Sequence, residues 1–213
     1  MHALPSLLRI LMTVVLFTPP LSACAAEGDQ SRAGIVVAVE NDAEVVSATG
    51  TTKAIIGTPV QMKDELRTGP NARLQVTFRD NTVLTLGENA SVVVDSYVYD
   101  PDKSTGETVL QATRGAFRFV TGRLKELKQN KIAVSTPVAD IGIRGTEFWG
   151  GPIDEKYGIL LLNGEVTVSN QAGSVTLTPG QGTDIPSPLD PPGEPKAWSA
   201  EKIGRAIESV ALH

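Results

Sequence analysis

The stretch Arg73-Leu74-Gln75-Val76-Thr77-Phe78, continuing through Arg79-Asp80-Asn81 to Thr82-Val83-Leu84-Thr85-Leu86, decides how this chain folds. Successive side chains on an extended strand point to opposite faces. Leu74, Val76 and Phe78 therefore share a buried face, while Arg73, Gln75 and Thr77 share a wet one. Asp80 and Asn81 both tolerate the positive φ of a tight hairpin, so Thr82 to Leu86 can return with Leu84 and Leu86 pointing inward.

The same period of two extends in both directions from this hairpin. Gly87-Glu88-Asn89 turns the chain again, and Ser91 to Val94 starts the next strand. A polar loop, Asp100 to Gly106, leads to strands over Val109 to Ala112 and Ala116 to Val120, with Phe117 and Phe119 on one face. Gly122 to Lys131 breaks the pattern: its charges surround only Leu124 and Leu127, which predicts an exposed turn or a single helical turn. Ile132 and Val134 resume the alternation. Ile159 to Leu162 is a continuous apolar run, and Asn163-Gly164 after it is the strongest short-range hairpin signal available, with Val166 and Val168 beyond. Ser174 to Thr178 forms a further strand that ends at Pro179-Gly180, and the β region closes near Ile185. The fold class is all-β.

The two ends read differently. Residues 1–23 combine Arg9 with the apolar run Ile10 to Phe17 and the breakers Pro19-Pro20, the pattern of a removable secretion signal. The run is far shorter than the roughly 20 residues that a membrane-crossing helix needs. Leu21-Ser22-Ala23-Cys24 resembles the lipobox of bacterial lipoproteins, which implies cleavage before Cys24, lipid attachment to its sulfur and residence on a periplasm-facing or outer membrane. The alternative is ordinary cleavage after Ala25, which would release a soluble protein. Residues 24–33 read as a short polar tether. Residues 186–198 contain five prolines before Lys196 and are expected to run as an extended spacer. Over residues 199–213, Ser199 can cap a helix that places Ile203, Ile207 and Val210 on one side, ready to dock on the domain or on a partner.

Four stretches together resemble the FecR domain, named for a regulator of ferric-citrate uptake in Gram-negative bacteria. They are Gly57-Thr58-Pro59-Val60 running on to Leu66-Arg67-Thr68-Gly69-Pro70-Asn71-Ala72 and the hairpin above; Arg114-Gly115-Ala116-Phe117; Ser135-Thr136-Pro137-Val138-Ala139 leading to Ile143-Arg144-Gly145-Thr146-Glu147-Phe148; and Asn163-Gly164-Glu165-Val166-Thr167-Val168 with Pro179-Gly180-Gln181 behind it. The resemblance covers about residues 34–185. It implies a solenoid-like, wrapped β-sheet which, in the best-known members, is a periplasmic sensor that contacts an outer-membrane receptor. Those members carry a cytoplasmic segment and a membrane helix ahead of the domain, where this sequence has a secretion signal. Direct contact with a sigma factor is therefore not expected to transfer.

Composition narrows the chemistry. Among 213 residues, 20 glycines and 14 prolines fall below the level that marks low complexity. A net charge of −5 without a basic cluster argues against nucleic acid. Cys24 is the single cysteine, so no intramolecular disulfide can form. The two histidines are His2, in the signal, and His213, at the end. The usual zinc ligands, a cysteine nucleophile and a serine–histidine pair are thereby missing, and no metal, cofactor or catalytic residue is assigned. Asp80-Asn81 lacks the alternating acids of a calcium loop.

Partner contact is assigned to Arg144, Glu147 and Trp149. Arg144 can pair with Asp140 or Glu147 and grip a partner, or can simply maintain a turn. Trp149 can anchor a protein or sugar, or can pack in the core. Tyr97 and Tyr99, two apart, share one strand face. The chain thus reads as an exported, non-catalytic envelope module that binds another envelope protein or cell-wall polymer through strand edges and loops. Two alternatives stand beside it: a carbohydrate-active enzyme using carboxylates such as Asp140 and Glu147, and a structural component of a surface assembly.

Overall fold

The structure is a computed structural model and describes residues 32–213. The expected secretion signal and Cys24 lie outside the described residues. The first strand, β1 (Arg32–Glu40), begins two residues ahead of the expected start of the domain. The chain continues through β2 (Ala43–Ser47), β3 (Gly50–Lys53), β4 (Pro59–Gln61), β5 (Glu65–Thr68), β6 (Arg73–Phe78), β7 (Val83–Leu86), β8 (Ser91–Asp100) and β9 (Thr105–Arg114). There follow β10 (Phe117–Val120), β11 (Gln129–Ser135), β12 (Asp140–Ile153), β13 (Lys156–Asn170), β14 (Gly173–Leu177), β15 (Gln181–Ile185), β16 (Lys196–Ala197) and one helix, α1 (Ala200–Glu208).

All sixteen strands of the described residues join one sheet, in the order β3-β2-β5-β8-β9-β11-β12-β10-β7-β6-β1-β4, with β13 to β16 branching from β12. The sheet curls into a half-barrel around its apolar face, as the wrapped all-β expectation requires. The hairpin that decided the fold lies at its heart. Leu74 stands opposite Leu86 and Val76 opposite Leu84, all four with no exposed surface, and Asn81 takes φ 65° at the turn. Phe117, Phe119 and Phe148 fill the curl, with Phe117 and Phe148 meeting edge-on at 5.6 Å between centroids.

The break expected over residues 122–131 is shorter in the structure: Gln129–Lys131 already belong to β11, and Arg123–Glu126 form a single 3-10 turn whose Leu124 is fully buried. A buried carboxyl holds it in place. Asp80 accepts hydrogen bonds from the amide and hydroxyl of Thr82, the hydroxyl of Tyr97 and the amide of Leu124. That engagement occupies both oxygens of the carboxyl.

The Asn163-Gly164 hairpin does not form. The strand β13 runs straight through it, paired with β12 over their whole lengths, and the two positive-φ residues Gly145 and Gly164 face each other in a bulge. A Cβ on Gly164 would lie 2.3 Å from the Gly145 carbonyl oxygen, so only glycine fits there. The true turn between the two strands is Asp154-Glu155, with φ 50° and 61°. Tertiary contacts stabilise this unusual turn sequence: Asp154 accepts from Arg205 of α1 at 2.7 Å and pairs with Lys202 at 3.2 Å.

The C-terminal segment is tied down more closely than an extended spacer would be. Thr183 donates its hydroxyl to the Gly193 carbonyl at 2.7 Å, Asn170 donates to the Asp190 carbonyl, and Lys196–Ala197 add an edge strand to β15. The prolines keep out of the ladder, and the edge strand begins only after the last of them, Pro195. Ser199 caps α1 as expected, accepting from the Lys202 amide.

Candidate interaction site

Of the three residues assigned to partner contact, the structure withdraws one. Trp149 is 1% exposed and is covered by α1, its indole N–H donating to the Ser209 hydroxyl at 3.0 Å. It belongs to a second core on the outer side of β12 and β13, with Ile153, Leu160, Trp198, Ala206 and Val210. The sheet is therefore buried on both faces here, which explains why Ile159-Leu160-Leu161 is continuously apolar. Trp198 fits because Gly158 and Gly182 have no side chains: a Cβ on Gly182 would lie 2.4 Å from the indole. Lys202 completes the latch, 4.2 Å from the Trp198 ring centroid and 2.8 Å from Asp184, with both charged side chains 13% exposed.

Glu147 is turned to another use. Arg118 on β10 donates to it from Nε at 3.0 Å and again from Nη2, across the β10–β12 pair. Arg144 does not reach Asp140 or Glu147. Its guanidinium stands 3.9 Å from Glu165 on β13, and its side chain is 88% exposed. Asp140 accepts from the Ser135 hydroxyl at 2.6 Å. Asp140 and Glu147 lie seven residues apart on one strand, roughly 20 Å along its axis, whereas paired glycosidase carboxylates stand about 5–9.5 Å apart. They do not form a hydrolytic pair. Tyr97 likewise turns inward, stacked on Phe78 at 5.3 Å between centroids.

A concave feature lies elsewhere, where the two ends of the strand path approach. A groove of about 590 Å³ runs between the β2–β3 hairpin and β4, lined by Val45, Ser47, Thr52, Thr58, Gln61 and Asp64 among others. All four residues of β3 are exposed, and β3 ends the strand path, so one of its edges carries no neighbour among the described residues. The groove walls are rich in hydroxyls held locally. The Ser47 and Thr49 hydroxyls meet at 2.9 Å, and Thr58 Oγ1 accepts from the Ile55 amide at 3.0 Å. At the floor, Asp64 accepts from the Gln61 amide at 2.8 Å, and burial pushes its carboxyl above the ordinary value while that hydrogen bond opposes the shift. No cluster of three or more potential metal ligands occurs among the described residues. Polar atoms, an open strand edge and a shallow trough suit backbone-to-backbone contact with an extended segment.

Residues 64–174, just over half of the sequence, match the profile described as FecR protein. The chain belongs to the FecR family. The matched stretch begins at Asp64, on the floor of the groove, and ends in β14; β2, β3 and β4, which form the groove walls, precede it. Two crystal structures of a "putative anti-sigma factor" from Parabacteroides distasonis resemble this FecR chain in fold, each with a TM-score of 0.53. Their sequences are 19% and 20% identical to it over 66% of this chain and 62% of theirs, so it spans about three-fifths of their length. No curated protein matches the chain.

Sequence reasoning missed the groove. Ser47, Thr49, Thr52 and Thr58 are ordinary strand and turn residues, and nothing in their spacing announces that two strands far apart in the sheet order come to face each other. The one legible hint was that β3, Gly50-Thr51-Thr52-Lys53, contains no large apolar residue, as an exposed edge requires.

Proposed function

We propose that this FecR-family chain is an exported, lipid-anchored and non-catalytic sensing module that binds an extended segment of another envelope protein along β3 and the groove beside it. The observation that supports this reading is the exposed strand β3, unpartnered on one edge among the described residues and bordering a groove of about 590 Å³. A strand added there would take affinity from main-chain hydrogen bonds and selectivity from side chains pointing into the trough. The secretion signal and the lipobox-like residues up to Cys24 support an envelope location. The fold likeness to a "putative anti-sigma factor" fits a regulatory setting.

The test is photo-crosslinking in native membranes, with the reactive group placed at Thr51 on β3 and, separately, at Arg144 and at Asp102. The reading expects one defined protein adduct from Thr51 and none from Asp102. An adduct from Arg144 alone moves the contact to the β12–β13 bulge, and a ladder of cell-wall fragments instead of a protein names the polymer as the partner. Radiolabelled fatty acid should enter the protein and vanish in Cys24→Ser.

A further inference from the structure

The outer surface near the start of the domain carries an apolar tip that the groove does not use. Ile55 is 63% exposed and Ile56 is 71% exposed, on the loop between β3 and β4. The loop is fastened beside β1, where the Val36 amide donates to the Thr58 carbonyl and the Gly57 amide donates to the Val36 carbonyl, both at 2.9 Å. Ile35 and Val37, on either side of Val36, point outward and are 37% and 36% exposed. Four of the seven large apolar residues that remain exposed among the described residues thus lie on this loop and on the strand to which it is fastened. The space beside Gly57 is open as well: a Cβ there would meet nothing within 4 Å. Isolated exposed apolar residues need no explanation, but two adjacent isoleucines exposed on one loop, fastened to a strand with two more exposed apolar residues, offer a contact surface.

We infer that this tip inserts into the bilayer that carries the lipid anchor, and so sets the orientation of the domain on the membrane. The inference rests on the proposed acylation of Cys24. Cys24 precedes Arg32, the first residue of β1, by eight residues, which reach at most about 27 Å even when fully extended. Val36, where the tip is fastened, lies four residues further along β1, about 13 Å at the rise of a strand. The tip is therefore always within reach of the membrane surface, at a high effective concentration that favours even a weak apolar contact. A convex isoleucine pair suits the acyl boundary, where apolar side chains enter and no hydrogen-bond partner is needed. The ion pair of Lys53 and Asp42 beside the loop, 3.1 Å apart and highly exposed, leaves the rim near neutral, so the contact depends on apolar burial more than on salt. Docked in this way, β3 lies next to the bilayer and faces partners that are themselves embedded in it.

The experiment uses the full chain with Ile56→Cys. Because Cys24 is the single native cysteine and acylation blocks it, the new thiol is the sole labelling site. The purified lipidated protein, labelled there with an environment-sensitive fluorophore, is reconstituted into phosphatidylethanolamine–phosphatidylglycerol vesicles containing acyl-chain quenchers at different depths. The expected result is a blue-shifted emission that the quenchers reach, while the same label on Asp102→Cys stays aqueous. In the chain carrying Cys24→Ser, replacing Ile55 and Ile56 with serine should lower vesicle partitioning about tenfold or more. Acylated protein whose label at 56 remains aqueous overturns the docking while leaving the anchor intact. Absence of fatty acid on the protein overturns both. Shelter that persists without vesicles and grows with protein concentration assigns the tip to a second copy of the chain and also overturns the proposal.

Discussion

Asp80→Ala should unfasten the centre of the domain. The side chain has no exposed surface. One carboxyl oxygen accepts from the Thr82 amide at 3.3 Å and the Tyr97 hydroxyl at 3.2 Å; the other accepts from the Thr82 hydroxyl at 2.6 Å and the Leu124 amide at 3.2 Å. Alanine strands four donors in a site closed to water. At roughly 1 kcal/mol each, the low end for a buried unsatisfied group, the loss is about 4 kcal/mol. That is a large share of the roughly 5–15 kcal/mol that stabilises a typical domain. Tyr97→Phe strands no donor on the carboxyl but removes the acceptor for the Asp80 amide, 3.0 Å away, and should cost about 1–2 kcal/mol. The two substitutions break the same hydrogen bond, so the double variant should fall short of the sum by about 1 kcal/mol. Urea titration followed by circular dichroism measures all three, with the slope against denaturant required to stay constant. Hydrogen exchange should also quicken at the Leu124 amide, because the 3-10 turn loses its tether. An Asp80→Ala loss below about 1.5 kcal/mol at an unchanged slope would mean that this carboxyl does not hold the centre of the domain together.

Three further outcomes follow from the same geometry. Gly164→Ala places a Cβ against the Gly145 carbonyl at φ 87° and should cost about 3 kcal/mol, measured as a lowered urea midpoint, whereas Arg144→Ala, at an 88% exposed side chain, should leave the midpoint unchanged. Trp198→Ala removes the ring that fills the Gly158–Gly182 slot, and a local loss of about 3 kcal/mol should free α1, so that trypsin cuts rapidly at Lys202 and Arg205 while the β domain survives. Arg205, and then Lys202, hold the Asp154 carboxyl below its ordinary value of 3.8. A carboxylate depressed on folding contributes its stability above that ordinary value and loses it as pH falls through the lower folded one. The α1 latch should therefore loosen as pH falls below the ordinary carboxylate value of 3.8. The emission of Trp149 and Trp198, the two tryptophans of the chain, reports this step, and Asp154→Asn should abolish it.

Only local features could be read from the order of the residues. Alternation at Arg73 to Phe78 named the buried face of β6, Asp80-Asn81 named its turn, and Ser199 named the start of α1, because each depends on side chains a few residues apart. The same local logic misread Asn163-Gly164. The dipeptide permits a hairpin, but β12 and β13 pair along their full lengths and the positive φ is used for a bulge against Gly145. Trp149 could be read as anchor or as core because its environment is set by α1, some fifty residues later, and by two glycines that leave room for Trp198. Glu147 and Arg144 found partners on β10 and β13 that no spacing rule relates to them. The groove and the isoleucine tip were invisible for the same reason. Burial and edge exposure are decided by which distant strands the curled sheet brings side by side, and pairing partners are set by tertiary contacts that the period of a single strand does not contain.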